Sequence, residues 1–140
     1  MLRLVLDTNI LVSSLLRKQT PPYQLYRAWR EGLFELLTSQ PQIEELQRVL
    51  HYPRLQRYLT PEEAQEMLAG VVTYAVLVSP LPSVSYSPDP DDNLILATAI
   101  AGHADYLISG DKSHVLALEK IEGIPILSAR QAIERLNLDE

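Results

Sequence analysis

The chain has 140 residues, 46% of them hydrophobic, and a formal net charge of −6, which suits one ordinary domain over 1–140 with a real core. It has no cysteine, which excludes disulfides, thiolate chemistry and Cys-ligated zinc and fits a reducing cytoplasm. No apolar run approaches the roughly 18–20 residues of a membrane span, and Asp7 interrupts the N-terminal run that a signal peptide would need.

The elements follow in chain order. "LRLVL" reads as a buried strand that ends at Asp7, and Thr8-Asn9 can cap a helix through "ILVSSLL". "TPPYQLYRAWREG" predicts a second helix, with Pro at its start and Gly32 at its end. "FELLTS" is a strand. "QPQIEELQRVL" is a helix that faces inward with Ile43, Leu46, Val49 and Leu50 and stops before Pro53. "TPEEAQEMLAGVVTYA" opens with Thr, Pro and two Glu, the pattern of a helix start. "VLVSP" is a strand, and the proline-rich 79–91 is a loop. "DNLILATAIAGHA", apolar on nearly every side, is a buried helix that Asp92 opens. "DYLIS" is a strand, "GDKSHVLALEK" a turn into a helix, "GIPILS" a strand and "ARQAIERLNL" a last helix. Strands alternating with helices predict an α/β fold: a three-layer sandwich with a mainly parallel central sheet flanked by helices.

Charge is uneven along the chain. Residues 1–57 carry eight Lys/Arg and five acids, whereas 58–140 carry four and thirteen. A net acidic chain is poorly suited to holding nucleic acid by phosphate neutralisation alone, but this split leaves room for a basic face. Arg17, Lys18, Arg54 and Arg57 are the residues suited to guide a phosphate backbone.

Acids mark the expected site. In open parallel sheets ligands bind beyond the carboxyl ends of the strands. Asp7 follows the first strand there, and Asp111 follows "YLIS" by one Gly. Asp92 stands at a helix start, where free N–H groups favour a carboxylate. Glu45 lies near the inward edge of its helix. Glu44, Asp89 and Asp91 have nearly the same local claims, and periodicity does not choose among them. Clustered carboxylates repel unless a cation neutralises them, and oxygen donors without Cys or His favour Mg²⁺ or Mn²⁺. His51, His103 and His114 lack ligand spacing and read as surface or packing residues.

"LVLDTNILVS", "SQPQIEELQRVL", "PDPDDNLILATAIAGHADYLISGDK" and the last strand–helix pair, in that order, resemble a PIN domain, and within that family the VapC-like toxins of bacterial toxin–antitoxin pairs. The resemblance covers essentially the whole chain. It places the family's acids on Asp7, Glu45, Asp92 and Asp111. Asp92 fits the family's spacing to Ile95 and Ala97 better than Asp91 does, and Glu45, which precedes Leu46, better than Glu44. Thr8, Asn9 and Ser109 would hydrogen-bond those acids. The resemblance implies a Mg²⁺- or Mn²⁺-dependent endoribonuclease with an RNA substrate, a cognate antitoxin and a homodimeric state.

Three rival readings remain. A phosphatase of the haloacid-dehalogenase type needs a second Asp where Asn9 stands. A PIN-like scaffold would bind RNA or a partner protein without cutting. A structure-specific DNA nuclease of a related fold would be longer and would carry further acids.

Overall fold

The computed structural model describes residues 1–138, so the last two residues of the expected 1–140 domain lie outside it. Its elements are β1 (Arg3–Leu6), α1 (Thr8–Leu16), α2 (Pro21–Arg30), β2 (Glu35–Thr38), α3 (Gln40–Leu50), a 3₁₀ turn at Pro53–Leu55, α4 (Pro61–Tyr74), β3 (Val76–Leu77), α5 (Pro90–Ala101), β4 (Tyr106–Ile108), a 3₁₀ turn at Leu116–Leu118, β5 (Lys120–Ile121), β6 (Ile124–Leu127) and α6 (Ala129–Leu136). The strands form one sheet in the order β3-β2-β1-β4-β6-β5. Every pairing is parallel except that of β5 with β6. The predicted α/β class and mainly parallel sheet are therefore present.

Alternation along the strands builds the two halves of the core. Leu4 and Leu6 of β1 point to one face, with Leu36 and Ile108, and pack under α1, α2, α3, α4 and α6. Val5 points the other way, with Leu37, Leu107 and Ile126, and packs under α5 and the residues around Val115 and Ile121. A sheet covered on both faces explains why its central strands are apolar beyond their first residues, Arg3 and Tyr106. It also explains why α5 is apolar nearly all round: Ile95, Leu96, Ala97, Thr98 and Ala99 are all buried.

Local chemistry sets the boundaries. A capping box holds the start of α4, where Thr60 and Glu63 bond each other's backbone N–H, and Ser128 with Gln131 does the same for α6. Gly32 ends α2 with a positive φ of 82°, a conformation that glycine adopts without steric cost. Gly102 is needed for space: a Cβ there would sit 2.8 Å from Leu37 Cδ1 and 3.0 Å from Val78 Cγ2.

Three local expectations need correction. Asp7, rather than Thr8 or Asn9, occupies the N-cap of α1; its Oδ1 accepts Thr8 N–H and its carbonyl accepts Ile10 N–H. Pro90 opens α5 with Asp89 as the cap, so Asp92 lies within the first turn instead of beginning the helix. The helix expected after Asp111 is only a 3₁₀ turn. Asp111 Oδ1 takes the N–H groups of Ser113 and His114, and the chain then reverses at Glu119 (φ 64°) into the β5–β6 hairpin.

Candidate metal centre

β1 and β4 are neighbours in the middle of the sheet, and the chain order reverses between them: β2 and β3 extend one way, β6 and β5 the other. That seam is a topological switch point, where α/β sheets leave a crevice at the carboxyl ends of the strands. A cleft of about 410 Å³ opens there, and Asp7, Thr8, Asn9, Glu45, Asp92 and Asp111 all line it. The four predicted acids are thus brought together from four places in the fold. Asp7 caps α1 at the end of β1. Glu45 comes from the middle of α3, Asp92 from the first turn of α5, and Asp111 from the loop after β4.

Each acid is held by named partners. Asp7 is 9% exposed. Ser109 Oγ donates to its Oδ2 at 2.8 Å, and the same Oγ accepts Asp111 N–H at 3.1 Å. Thr8 Oγ1 donates to Glu45 Oε1 at 2.5 Å. Asn9 Oδ1 accepts Gly110 N–H at 3.1 Å and so ties α1 to the Asp111 loop. Ser87 Oγ donates to Asp92 Oδ2 at 2.8 Å. Asn93 braces that contact by accepting Ser87 N–H and donating to Ser87 O. Because Asp7 serves as the cap, the hydroxyl of Thr8 and the amide of Asn9 are released for these longer-range bonds.

Electrostatics follow from crowding. Burial pushes the Asp7 carboxyl up to about 6; the Ser109 bond opposes this, and the nearby Glu45 and Asp92 charges add to it. Burial also raises Glu45, against the Thr8 bond and with help from Asp91. Asp92 is raised by burial, against the Ser87 bond and with help from Asp89 and Asp111. Burial, with mutual repulsion, makes three carboxylates in one cleft hard to ionise, and a cation held between them would favour their ionised forms. The donor set is oxygen-rich, which fits a hard divalent cation such as Mg²⁺ or Mn²⁺.

Asp89 and Asp91, whose local claims matched those of the chosen acids in the sequence, also line the cleft. Of the four proposed guide cations, Arg54 alone lines it; Arg17, Lys18 and Arg57 are exposed elsewhere. His114, read as a surface or packing residue, is exposed, and its Nδ1 also stands 3.7 Å from Asp111 Oδ2 and 4.0 Å from Asp92 Oδ2. Its spacing of three from Asp111 was the available signal. His51 is an exposed helix-end residue bonded to Gln47 O, and His103 is exposed, as expected.

A parallel sheet with an acid-lined crevice at its switch point defines a class of site, and comparison with known proteins places it. The family model described as "PIN domain" matches residues 3–113. The chain belongs to the PIN domain family. Among solved structures, it is similar to a chain in the crystal structure of VapBC2 from Rickettsia felis bound to a DNA fragment from their promoter. The TM-score is 0.57 at 16% identity, over 91% of this chain and 98% of that one, a likeness of fold. Curated protein sequences give no significant match. Among the described residues, no helix is long and apolar enough to cross a membrane.

Proposed function

We propose that this single PIN domain is a metal-dependent endoribonuclease, the toxin of a toxin–antitoxin pair acting in the cytoplasm. The observation that carries the reading is the convergence of Asp7, Glu45, Asp92 and Asp111 on one cleft, with Asp7 raised to about 6. Asp7, Asp92 and Asp111 would hold Mg²⁺ or Mn²⁺, with Glu45 binding directly or through water. When bound, such an ion lowers the pKa of water and neutralises charge that develops on a phosphodiester under attack.

The chain's own residues supply the rest. Ser109 fixes the Asp7 carboxylate, and Thr8 fixes Glu45. Asn9 holds the Asp111 loop against α1 through Gly110. Arg54, the one base among the described lining residues, is placed to meet a phosphate at the rim. Its guanidinium is already ordered over the Tyr52 ring, 5.2 Å from the centroid.

The likeness to a VapBC2 chain supports an antitoxin partner. The exposed apolar run of Val72, Tyr74, Val76 and Leu77 supports a second copy as the other partner, since contiguous apolar surface marks interfaces.

The test is cleavage of a fluorescent single-stranded RNA with Mn²⁺, Mg²⁺ or EDTA, beside an Asp7→Asn/Asp92→Asn double variant. Metal-dependent cutting that the double variant lacks supports the reading. A wild type that neither cuts nor binds metal would overturn it in favour of a non-catalytic scaffold, and cutting of branched DNA alone would favour the DNA nuclease.

A further inference from the structure

We infer that His114 is a nitrogen ligand of this centre, meeting the same ion as Asp92 and Asp111, and that it makes the site select Mn²⁺ over Mg²⁺. The inference rests on the reading of the cleft as a metal centre.

The geometry of three side chains carries it. One donor atom from each of Asp92, Asp111 and His114 falls within 4.8 Å of the others. The imidazole Nδ1 lies 3.7 Å from Asp111 Oδ2 and 4.0 Å from Asp92 Oδ2. Ligand atoms ~2.1 Å from an octahedral ion stand ~3 Å apart when cis and ~4.2 Å when trans. Both separations exceed the cis value by about 1 Å or less, which a small rotation of the exposed imidazole closes. They are also longer than a direct hydrogen bond, so the ring approaches the two carboxylates without being committed to either.

The turn presents the ring rather than leaving it to chance. Asp111 Oδ1 accepts the backbone N–H of Ser113 and of His114 itself, which leaves Oδ2 turned toward the imidazole. Asp111 O accepts Leu116 N–H at 2.9 Å. Val115, next in the chain, is fully buried, and Ser109 Oγ pins the turn's first residue through Asp111 N–H. His114 therefore stands on a loop anchored on both sides.

A nitrogen donor changes which ion the site prefers. Mg²⁺ favours oxygen ligands, whereas imidazole affinity rises toward the transition metals. An all-carboxylate centre would discriminate weakly between Mg²⁺ and Mn²⁺; one with His114 favours Mn²⁺.

The experiment reads the nitrogen directly. Full-length protein is loaded with Mn²⁺, and electron spin-echo modulation is recorded for wild type, His114→Gln, His51→Gln and Asp92→Asn. Mg²⁺ and Mn²⁺ affinities are measured by competition. The expected result is ¹⁴N modulation in wild type and His51→Gln that disappears in His114→Gln. That variant should also lose about tenfold or more in Mn²⁺ affinity, with Mg²⁺ affinity changed far less. If wild type binds Mn²⁺, Asp92→Asn abolishes binding, and no ¹⁴N modulation is seen, the His114 inference is overturned while the metal centre stands. Equal loss of both metals in His114→Gln also overturns it, because selectivity then lies elsewhere. If wild type binds no Mn²⁺, the inference and the proposed function fall together.

Discussion

Ser109 Oγ donates to Asp7 Oδ2 across the seam between β1 and β4, at 2.8 Å and with both side chains buried. The bond opposes the rise that burial imposes on the Asp7 carboxyl. Ser109→Ala removes that opposition, so Asp7 ionises at a higher pH than about 6. Mn²⁺ affinity should fall roughly 10–100-fold at pH 6.5 and recover in part by pH 8, where the carboxyl is ionised in any case. Calorimetric titration at the two pH values checks this. An equal loss at both would mean that Ser109 acts by shaping the loop rather than by tuning Asp7.

Asp7→Asn should stabilise the metal-free protein while removing its metal binding. Burial raises Asp7 in the folded state from 3.8 to about 6, so between those values the unfolded chain ionises and the folded one does not. The folded state then binds more protons, and stability falls as pH rises through that window. A shift of this size corresponds to about 3 kcal/mol. Asparagine carries no charge and escapes the fall, though it keeps only part of the bonding from Ser109 and Thr8. At pH 7.5 in EDTA the variant should exceed wild type by ~1–3 kcal/mol, and at pH 4 the advantage should vanish. Urea denaturation at both pH values measures it, and a variant less stable than wild type at pH 7.5 would refute the burial argument.

The architecture was legible because the pattern of the chain is consistent from level to level. Apolar strands such as "LVL" can only be central in a sheet covered on both faces, and the all-round apolar α5 can only lie beneath one. The acids were legible as a group because a strand end, a helix start and a loop after a strand are fixed positions in such a fold. Which residue capped which helix was harder to read. Asp7, Thr8 and Asn9 are all good caps, and only the tertiary bonds of Thr8 to Glu45 and Asn9 to Gly110 decide among them. The nearness of His114 to Asp92 and Asp111 was illegible for a related reason: it depends on Asp111 folding its own loop back, a contact that ligand-spacing rules do not contain.

Thr8→Val keeps the shape of a buried side chain and removes the hydroxyl that Glu45 accepts from. That bond opposes the upward push of burial on Glu45, so the carboxyl should become harder to ionise and freer to rotate. Metal-dependent RNA cleavage should drop roughly tenfold, with a thermal midpoint within a few degrees of wild type. Thr8→Ser, which restores the donor, should recover most of the rate. Failure of serine to rescue would place the role of Thr8 in packing.

Gly102→Ala serves as the converse control, a loss of stability away from the cleft. The added methyl would meet Leu37 Cδ1 at 2.8 Å, Val78 Cγ2 at 3.0 Å and the Thr98 carbonyl at 3.1 Å. Overpacking of this kind costs roughly 1–3 kcal/mol. Chemical denaturation should show that loss, and Mn²⁺ affinity at a temperature where the variant is folded should match wild type. Reduced affinity there would mean that α5 shifts and carries Asp92 with it.

Metal should reverse the sign of the pH dependence. Without metal, the raised Asp7 carboxyl costs stability as pH rises from 3.8 to about 6, and Glu45 and Asp92, raised chiefly by burial as well, act in the same direction. A divalent ion binds the deprotonated groups, so binding tightens as they lose protons. At a metal concentration 100 times its dissociation constant the folded state gains about 2.7 kcal/mol. Thermal midpoints recorded from pH 4 to pH 8 should fall in EDTA up to about pH 6 and then level, and should stay level or rise in excess Mn²⁺, so that the two curves diverge as pH approaches about 6 and keep their separation above it. Asp92→Asn should bring them nearly together by weakening the binding that separates them. Curves that run parallel in wild type would show that the raised carboxyls and the bound ion do not share a site.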